Sequence, residues 1–226
     1  MTLTRIIGDI HGKLYDHQSY SIHDFKGPTI QVGDFGIGFA GQYWHDQLVE
    51  WQTANPQHRF IRGNHDDPTK CKTMPGYIND GLIENDVMFI GGAWSIDYAR
   101  RQEGVDWWRD EELSIGELNR LYDIYTTVKP RVMITHDAPT EVTYQMFTHV
   151  APSEVRYLMF VQTGLAMGGT NAKKIQSRTG QAFQAMFDAH QPDEWYFGHW
   201  HHTMQSRFGR TIFHCLGELD YVDVEL

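Results

Sequence analysis

The sequence contains very little cysteine, with two residues in a chain of 226. Cys71 and Cys215 lie far apart, and neither has a second cysteine at the spacing of a metal or redox motif. A protein built on a disulfide framework is therefore excluded, and we expect two free thiols in a reducing compartment. A chain of this length buries a full core without disulfides.

Long hydrophobic runs are also absent. None approaches the roughly 20 apolar residues that a membrane-crossing helix requires, and the first five residues lead directly into a predicted core strand. We therefore expect no signal peptide and no membrane partner, and we predict a cytoplasmic protein. Internal repeats, linker-like shifts of composition and low-complexity segments are missing as well, which predicts a single domain over residues 1–226.

Basic residues are outnumbered: 19 Lys and Arg stand against 29 Asp and Glu, for a formal net charge of −10. Such a balance disfavours non-specific nucleic-acid binding, which depends on a basic surface. A small anionic ligand remains possible, because the charge of a small site is set locally. Histidine is abundant in contrast, with 13 residues. The sequence does not indicate the oligomeric state.

Seven apolar, β-prone runs predict buried strands, and most of them end in a glycine or threonine followed by polar residues. Trp44, Leu48 and Trp51 follow helical spacing between the second and third runs, which predicts a strand, helix, strand unit. A capping box at Ser114 predicts a helix to about Val128, and a second helix is predicted at 171–190. The predicted strands lie at 3–7, 29–32, 59–62, 86–90, 131–134, 194–197 and 211–216.

Two stretches have a further predicted role near a ligand. The segment at about 93–128, which follows a strand, is predicted to be an excursion that forms part of a lid. The segment 168–174 contains Gly-Gly and Lys-Lys before a predicted helix, which is a candidate anion site, although a solvated basic loop is the simpler interpretation.

Five short strings stand at the ends of predicted strands, where the loops of an open α/β sheet converge and ligands bind. They read GDIH from residue 8, GDFG from 33, GNHD from 63, THD from 135 and GHWH from 198. They supply two carboxylates, one amide oxygen and four imidazoles, on Asp9, His11, Asp34, Asn64, His136, His199 and His201.

Seven donors exceed what one tetrahedral zinc ion takes, but they suit two neighbouring ions that share a carboxylate. Nitrogen and oxygen donors without a thiolate favour manganese, iron, zinc or nickel over calcium or a structural zinc. Two divalent ions, two carboxylates and a hydroxide leave a local charge of about +1, which favours a phosphate ligand.

The ordered set of strings resembles the calcineurin-like metallophosphoesterase superfamily, whose pattern is GDxH, GDxx, GNH followed by D or E, H, and GHxH. The resemblance extends from position 8 to position 201. It implies an α/β fold in which two packed mixed β-sheets are flanked by helices in four layers, α/β/β/α. The second string lacks the Val-Asp-Arg-Gly of eukaryotic protein phosphatases, so a compact member of the bacterial or phage type is favoured.

The resemblance also implies a role for each residue. His65 would be the general acid, held by Asp66 or, alternatively, Asp137, and Arg62 would grip phosphate. Arg100 or Arg101, which follow the fourth strand, are further candidates for a phosphate clamp because a guanidinium matches phosphate oxygens. The first metal would be held by Asp9, His11 and His201, and the second by Asn64, His136 and His199, with Asp34 bridging both.

We therefore expect hydrolysis of phosphate monoesters, through a metal-held hydroxide with His65 as the acid. The substrate would be a small phosphoester or a phosphorylated molecule. The cofactors would be two divalent or trivalent ions, with Mn2+ as the first choice and Fe, Zn or Ni as alternatives. The alternative activity is that of a phosphodiesterase on cyclic nucleotides or nucleic-acid ends. A non-catalytic scaffold of the same fold is a third interpretation, disfavoured because every expected ligand is present.

Overall fold

The computed structural model describes residues 2–39, 41–147 and 177–226. The candidate anion site at 168–174 and the first residues of the helix predicted at 171–190 lie outside these ranges. The described strands are β1 (Leu3–Ile7), β2 (Thr29–Gln31), β3 (His58–Phe60), β4 (Ile83–Glu84), β5 (Val87–Ile90), β6 (Val132–Thr135), β7 (Glu194–Phe197), β8 (Met204–Phe208), β9 (Thr211–Cys215) and β10 (Tyr221–Glu225).

These strands form two mixed sheets. The first has four strands in the order β10-β1-β2-β3, in which β1, β2 and β3 are parallel and β10 runs antiparallel to β1. The second has six strands in the order β4-β5-β6-β7-β9-β8, with β4 and β8 antiparallel at its two edges. The parallel strands of each sheet end at one edge, so the loops after them gather there.

The two sheets pack face to face over a buried apolar layer. Val87 and Phe89 of β5 lie in this layer with Ile6 of β1 and Ile30 of β2. The alternate residue Met88 points to the opposite face, as the two-residue period of a strand requires. Both faces of these short strands are therefore buried, which explains why they read as continuous apolar runs.

Helices cover the two outer faces. They are α1 (Leu14–Asp16) with a π-helical turn (His17–Ser21), α2 (Gly41–Ala54), α3 (Pro68–Cys71), α4 (Ile115–Val128), α5 (Thr140–Phe147) and α6 (Arg178–Ala189), with a short 3-10 turn at Tyr98–Arg100. Leu48 of α2 packs with Phe60 on the four-stranded sheet. Leu121 of α4 and Phe183 of α6 pack with Met88 on the six-stranded sheet. The predicted four-layer α/β/β/α arrangement is confirmed.

Local signals placed several elements correctly. The Ser114 hydroxyl accepts from the backbone N–H of Glu117, whose side chain reaches back to the Ser114 N–H, and α4 begins there. That helix ends at Lys129, which adopts a left-handed conformation one residue before Pro130. The unit β2, α2, β3 is a parallel strand, helix, strand unit, as predicted.

The excursion predicted at 93–128 divides into two parts. In the first part, Ser95, Ile96, Asp97 and Arg101 line the cavity at the edge where the polar loops gather. The second part, α4, packs on the six-stranded sheet as part of the outer layer. A role as a lid stays a prediction for the first part only. Within the described ranges, no helix has both the length and the apolar character needed to cross a bilayer.

Candidate metal centre

The seven predicted donors come from both sheets and meet at one edge. Asp9, Asp34 and Asn64 follow β1, β2 and β3 of the four-stranded sheet, whereas His136 follows β6 and the His199–His201 segment follows β7 of the six-stranded sheet. The first four of these side chains are almost fully buried. The donors therefore lie across the junction between the two sheets.

Glycine in these strings makes room for the donor atoms. A Cβ on Gly63 would lie 2.0 Å from Oδ1 of Asp34, and a Cβ on Gly198 would lie 2.2 Å from Oδ1 of Asp9. Real Cβ atoms do not approach other atoms so closely. A side chain at either position would displace the carboxylate that the loop presents.

Four of the donor residues have a left-handed backbone, with φ of 50° at His11, 56° at Asp34, 65° at His199 and 52° at His201. Residues other than glycine adopt this region rarely, and such local strain persists only where the surrounding structure enforces it. The loops therefore aim these side chains at one point, at a local energetic cost.

One group of donors comprises Asp9, His11, Asp34 and His201, whose potential ligand atoms all lie within 4.8 Å of one another. The Nε2 atoms of His11 and His201 are 2.9 Å apart, and Nε2 of His201 is 3.3 Å from Oδ2 of Asp9. Ligand atoms about 2.0–2.2 Å from a common ion are separated by such distances. The set therefore fits a transition-metal ion with nitrogen and oxygen ligands.

A second group lies beside it. Oδ1 of Asn64 is 3.0 Å from Nε2 of His136, and the ring of His199 lies 5.1 Å from that of His136. Burial, together with the charge of His136, holds the pKa of His199 well below its usual value, so His199 is neutral. Neutral imidazole is the form that binds a metal ion.

Asp34 belongs to both groups. Its Oδ1 is 3.3 Å from Nε2 of His136, and its Oδ2 is 3.9 Å from Nε2 of His11. Each carboxylate oxygen therefore faces one group of donors. A carboxylate in this position is suited to binding on both sides.

The proton distribution on His136 is fixed by its neighbours. Its Nδ1 lies 2.8 Å from the carbonyl oxygen of Val32 and donates to it, which turns Nε2 toward Asn64 and Asp34. Burial opposes the charged imidazolium, but the carboxylates of Asp34 and Asp9 outweigh it and raise the pKa of His136 to about 10. In the metal-free protein His136 is therefore protonated at neutral pH.

The orientation of Asn64 is set by two residues that the sequence interpretation missed. Its amide nitrogen donates to the hydroxyl of Ser95 over 2.9 Å, and that hydroxyl donates to Oε2 of Glu111 over 2.5 Å. Ser95 and Glu111 are both almost fully buried. Ser95 lies five residues after the strand predicted at 86–90, which was the available signal, but its partner lies 16 residues further along in an irregular segment.

His65 lies at the surface of this centre. Its backbone N–H donates to Oδ1 of Asp34 over 2.7 Å, and its Nδ1 lies 3.5 Å from Oδ2 of the same residue. Burial lowers the pKa of His65, and the charge of Asp34 offsets part of that effect. The carboxylate that faces the proposed acid is therefore that of Asp34.

The expectation that Asp66 orients His65 is wrong. The Asp66 side chain is fully buried, and it accepts hydrogen bonds from backbone N–H groups of the loops after β2 and β3. Neighbouring residues in a loop face different ways, and this carboxylate ties two backbones together instead. The donors are the backbone N–H groups of Phe35 at 3.1 Å, Gly36 at 2.7 Å, Ile37 at 2.8 Å and Gly63 at 2.8 Å.

The expectation that Arg62 grips phosphate is also wrong. Its guanidinium is buried, with Nε 3.2 Å from Oδ2 of Asp80 and a terminal N–H group donating to the carbonyl oxygen of Glu111 over 2.6 Å. These contacts occupy the group and anchor the excursion near Glu111. The side chain of Arg62 lines a different cavity from the one at the metal centre.

The structure distinguishes between the two remaining candidates for the phosphate-binding arginine, Arg100 and Arg101. Arg100 is exposed on the 3-10 turn, whereas the half-buried Arg101 lines the cavity at the donor groups. Its Nε donates to Oδ1 of Asp97 over 2.7 Å, which holds the guanidinium at the cavity wall. This cavity has a volume of about 370 Å³, and Asp34, Asn64, His65 and His199 also line it.

Comparison with known proteins adds little. No protein-family model matches the chain, and no curated protein matches it. Among solved structures, the chain is similar to a proposed 5′-nucleotidase from Staphylococcus aureus in complex with alpha-ketoglutarate, with 12% identity and a TM-score of 0.45. The match covers 96% of this chain and 49% of that protein, so the chain spans about half of its length. A likeness at this level carries no argument about function.

Proposed function

We propose that this protein is a metal-dependent phosphoesterase that hydrolyses phosphate monoesters at a centre of two ions. The observation that carries the proposal is the position of Asp34, whose two carboxylate oxygens face two separate groups of donors. One group is Asp9, His11 and His201, and the other is Asn64, His136 and His199. The first group contributes His201, and the second contributes Asn64 and His199, to the wall of a cavity large enough for a phosphate ester.

The donor chemistry supports two transition-metal ions, with manganese as our first choice. Bound there, the ions would lower the pKa of a coordinated water and draw the phosphate group into the cavity. The side chains of the protein supply the remaining requirements. Arg101 offers a guanidinium held by Asp97, and such a group binds phosphate oxygens through paired hydrogen bonds.

His65 is our candidate for the general acid. Its ring lines the cavity and faces the carboxylate of Asp34, whose charge offsets part of the lowering of the His65 pKa by burial. An ester oxygen that leaves as an alkoxide needs a proton, and a positioned imidazole donates one efficiently. Asp34, with Oδ2 3.5 Å from Nδ1 of His65, replaces Asp66 as our candidate for the carboxylate that faces this ring.

Monoesters are our proposed substrates because the net charge of −10 disfavours a long polyanionic strand. The test uses protein that has been stripped with a chelator and reloaded with Mn2+, Zn2+, Fe2+ or Ni2+, with metal content measured for each sample. Hydrolysis of 4-nitrophenyl phosphate and of bis(4-nitrophenyl) phosphate is then compared. We expect activity only after reloading, with a higher kcat/KM for the monoester.

Two results would overturn the proposal. A higher kcat/KM for the bis-ester would assign the protein to the phosphodiesterases. Two bound ions per chain without hydrolysis of either ester, or of a panel of nucleotides and phosphopeptides, would remove the catalytic function and leave the scaffold interpretation.

A further inference from the structure

A second cavity adjoins the one at the donor groups. It has a volume of about 430 Å³, within the range of small-molecule pockets, which is about 300–1,000 Å³. His65 and Arg101 line both cavities and stand at the boundary between them. A molecule whose phosphate occupies the first cavity therefore reaches the second by passing His65.

The second cavity differs from the first in chemistry. Besides His65 and Arg101, its wall is formed by the rings of Phe39, Trp44 and His11 and by Gly12 and Gly36, and no carboxylate is among the described residues that line it. A Cβ on Gly12 would lie 3.4 Å from Nε1 of Trp44, so glycine at this position leaves space beside that ring. On the side away from Arg101 and the imidazoles, the rings of Phe39 and Trp44 favour a flat apolar group.

The ring of Phe39 is held in place from several sides. It lies 5.4 Å from the ring of Trp108 in an edge-to-face arrangement and 5.5 Å from the ring of His65. The guanidinium of Arg101 lies 5.7 Å from its centre. Phe39 is nevertheless more than one third exposed, because its remaining face is open to the cavity and the solvent. A preformed aromatic face of this kind binds a second ring by stacking.

We propose that this cavity holds a planar aromatic group on the alcohol that leaves during hydrolysis. The inference rests on the proposed function, because it uses His65 as the acid. An acid must lie within hydrogen-bond reach of the oxygen that it protonates, so the leaving group departs on the side of His65. That side is the side of Phe39 and Trp44.

The reaction needs no co-reactant besides water. The bond between phosphorus and the leaving oxygen breaks, a bond forms between phosphorus and the oxygen of water, and the leaving oxygen gains a proton. The products are the free aromatic alcohol and inorganic phosphate. The shared chemistry of the leaving group is a flat ring, which either a nucleobase or an aryl group supplies.

The test compares two pairs of monoesters in the metal-loaded protein. Adenosine 5′-monophosphate is compared with ribose 5-phosphate, and benzyl phosphate with propyl phosphate. Each pair shares a primary alkoxide leaving group, so the difference in kcat/KM reports the ring. We expect the aromatic member to be preferred by about tenfold or more in one pair, and that pair identifies the source of the ring. A ratio near one in both pairs would overturn the inference.

Variants of the cavity wall locate the effect. Phe39→Ala removes an exposed ring, so we expect folding to be retained and the ratio to fall at least about threefold. Trp44→Leu is the second variant, with the same expectation. Tyr43→Ala is the matched control, because Tyr43 lies next to Trp44 on α2 but is 77% exposed and does not line the cavity. If the preference for the aromatic substrate were the same in Phe39→Ala, Trp44→Leu and Tyr43→Ala, the ring would not bind at this cavity wall.

A binding measurement separates this inference from the proposed function. Saturation-transfer NMR with adenosine and with benzyl alcohol detects the ring without turnover. If the protein hydrolysed no ester but still bound the ring, and Phe39→Ala abolished that binding, the ring-binding cavity would be supported and the proposed phosphoesterase function would be wrong. If the protein hydrolysed monoesters but neither preferred the aromatic substrates nor bound the ring, the phosphoesterase function would be supported and the ring-binding cavity would be wrong.

Discussion

The amide nitrogen of Asn64 donates a hydrogen bond to the hydroxyl of Ser95, 31 residues further along the chain. The same hydroxyl donates its own proton to Glu111, so it acts only as an acceptor toward Asn64. An amide placed beside that acceptor must turn its nitrogen toward Ser95 and its oxygen toward His136. The excursion therefore fixes which atom of Asn64 faces the candidate metal site.

Replacing Ser95 by alanine removes this control. We expect Ser95→Ala to lower the affinity for the ion bound by Asn64 by about 10–100-fold, which is the usual effect of removing a residue that hydrogen-bonds to a metal ligand. The readout is calorimetric titration of the stripped protein with Mn2+. Ser114→Ala is the control, because it removes the cap of α4, costs about 1 kcal/mol of stability and leaves metal affinity unchanged. Equal affinities in Ser95→Ala and the wild type would contradict the assignment.

Asp34→Asn tests the bridging carboxylate. The neutral amide is a poor metal ligand and presents one oxygen instead of two, so we expect affinity to fall at both metal positions. Metal content after dialysis measures the effect. Asp24→Asn is a matched control, because Asp24 also has a left-handed backbone, with φ of 60°, but an exposed side chain. Two fully bound ions in Asp34→Asn would show that Asp34 does not bridge.

His65→Ala tests the acid. We expect the variant to keep its metal ions and to lose about 10²-fold or more in kcat for alkyl phosphates, whose leaving oxygen needs a proton. Esters of 4-nitrophenol, whose anion leaves unaided, should lose less. His23→Ala, at an exposed histidine, is the control. Loss of metal from His65→Ala would instead identify His65 as a ligand.

Asp66→Asn tests the corrected role of Asp66. The amide offers one acceptor oxygen where the carboxylate offers two, and its NH2 group faces backbone donors. We expect the free energy of unfolding to fall by about 2–4 kcal/mol, measured by urea denaturation, with Asp24→Asn as the control. Unchanged stability combined with a large loss of kcat would restore the idea that Asp66 serves His65.

Metal binding should release a proton from His136 even at pH values well above the ordinary pKa of histidine. The pKa of His136 is raised to about 10 in the metal-free protein, so its imidazole is protonated throughout the range from pH 7 to 9. An ion that binds Nε2 displaces that proton, and we expect affinity for the second ion to rise about tenfold per pH unit. Calorimetry at pH 8 in two buffers of different ionisation enthalpy counts the protons. If metal binding released no proton at pH 8, His136 would be neutral in the metal-free protein.

The sequence predicted seven of the ten described strands and placed the candidate donors at strand ends, because most of them follow an apolar run and a glycine. Their role as metal ligands stays a prediction. The sequence did not predict the roles of Asp66 and Arg62, since side-chain direction in a loop depends on contacts far along the chain. The Ser95 and Glu111 pair was missed for the same reason. β10 was also missed, although alternation of valine with acidic residues at 221–225 is itself a strand signal.

The division of the donors between the two sheets has a consequence for folding. Asp9, Asp34 and Asn64 belong to one sheet and His136, His199 and His201 to the other, so the complete set exists only after the sheets have docked. Ions bound there select the docked state over the unfolded chain and add their binding free energy to its stability. Such ions would clamp two layers of the core together, and chelation should accelerate unfolding as well as abolish activity.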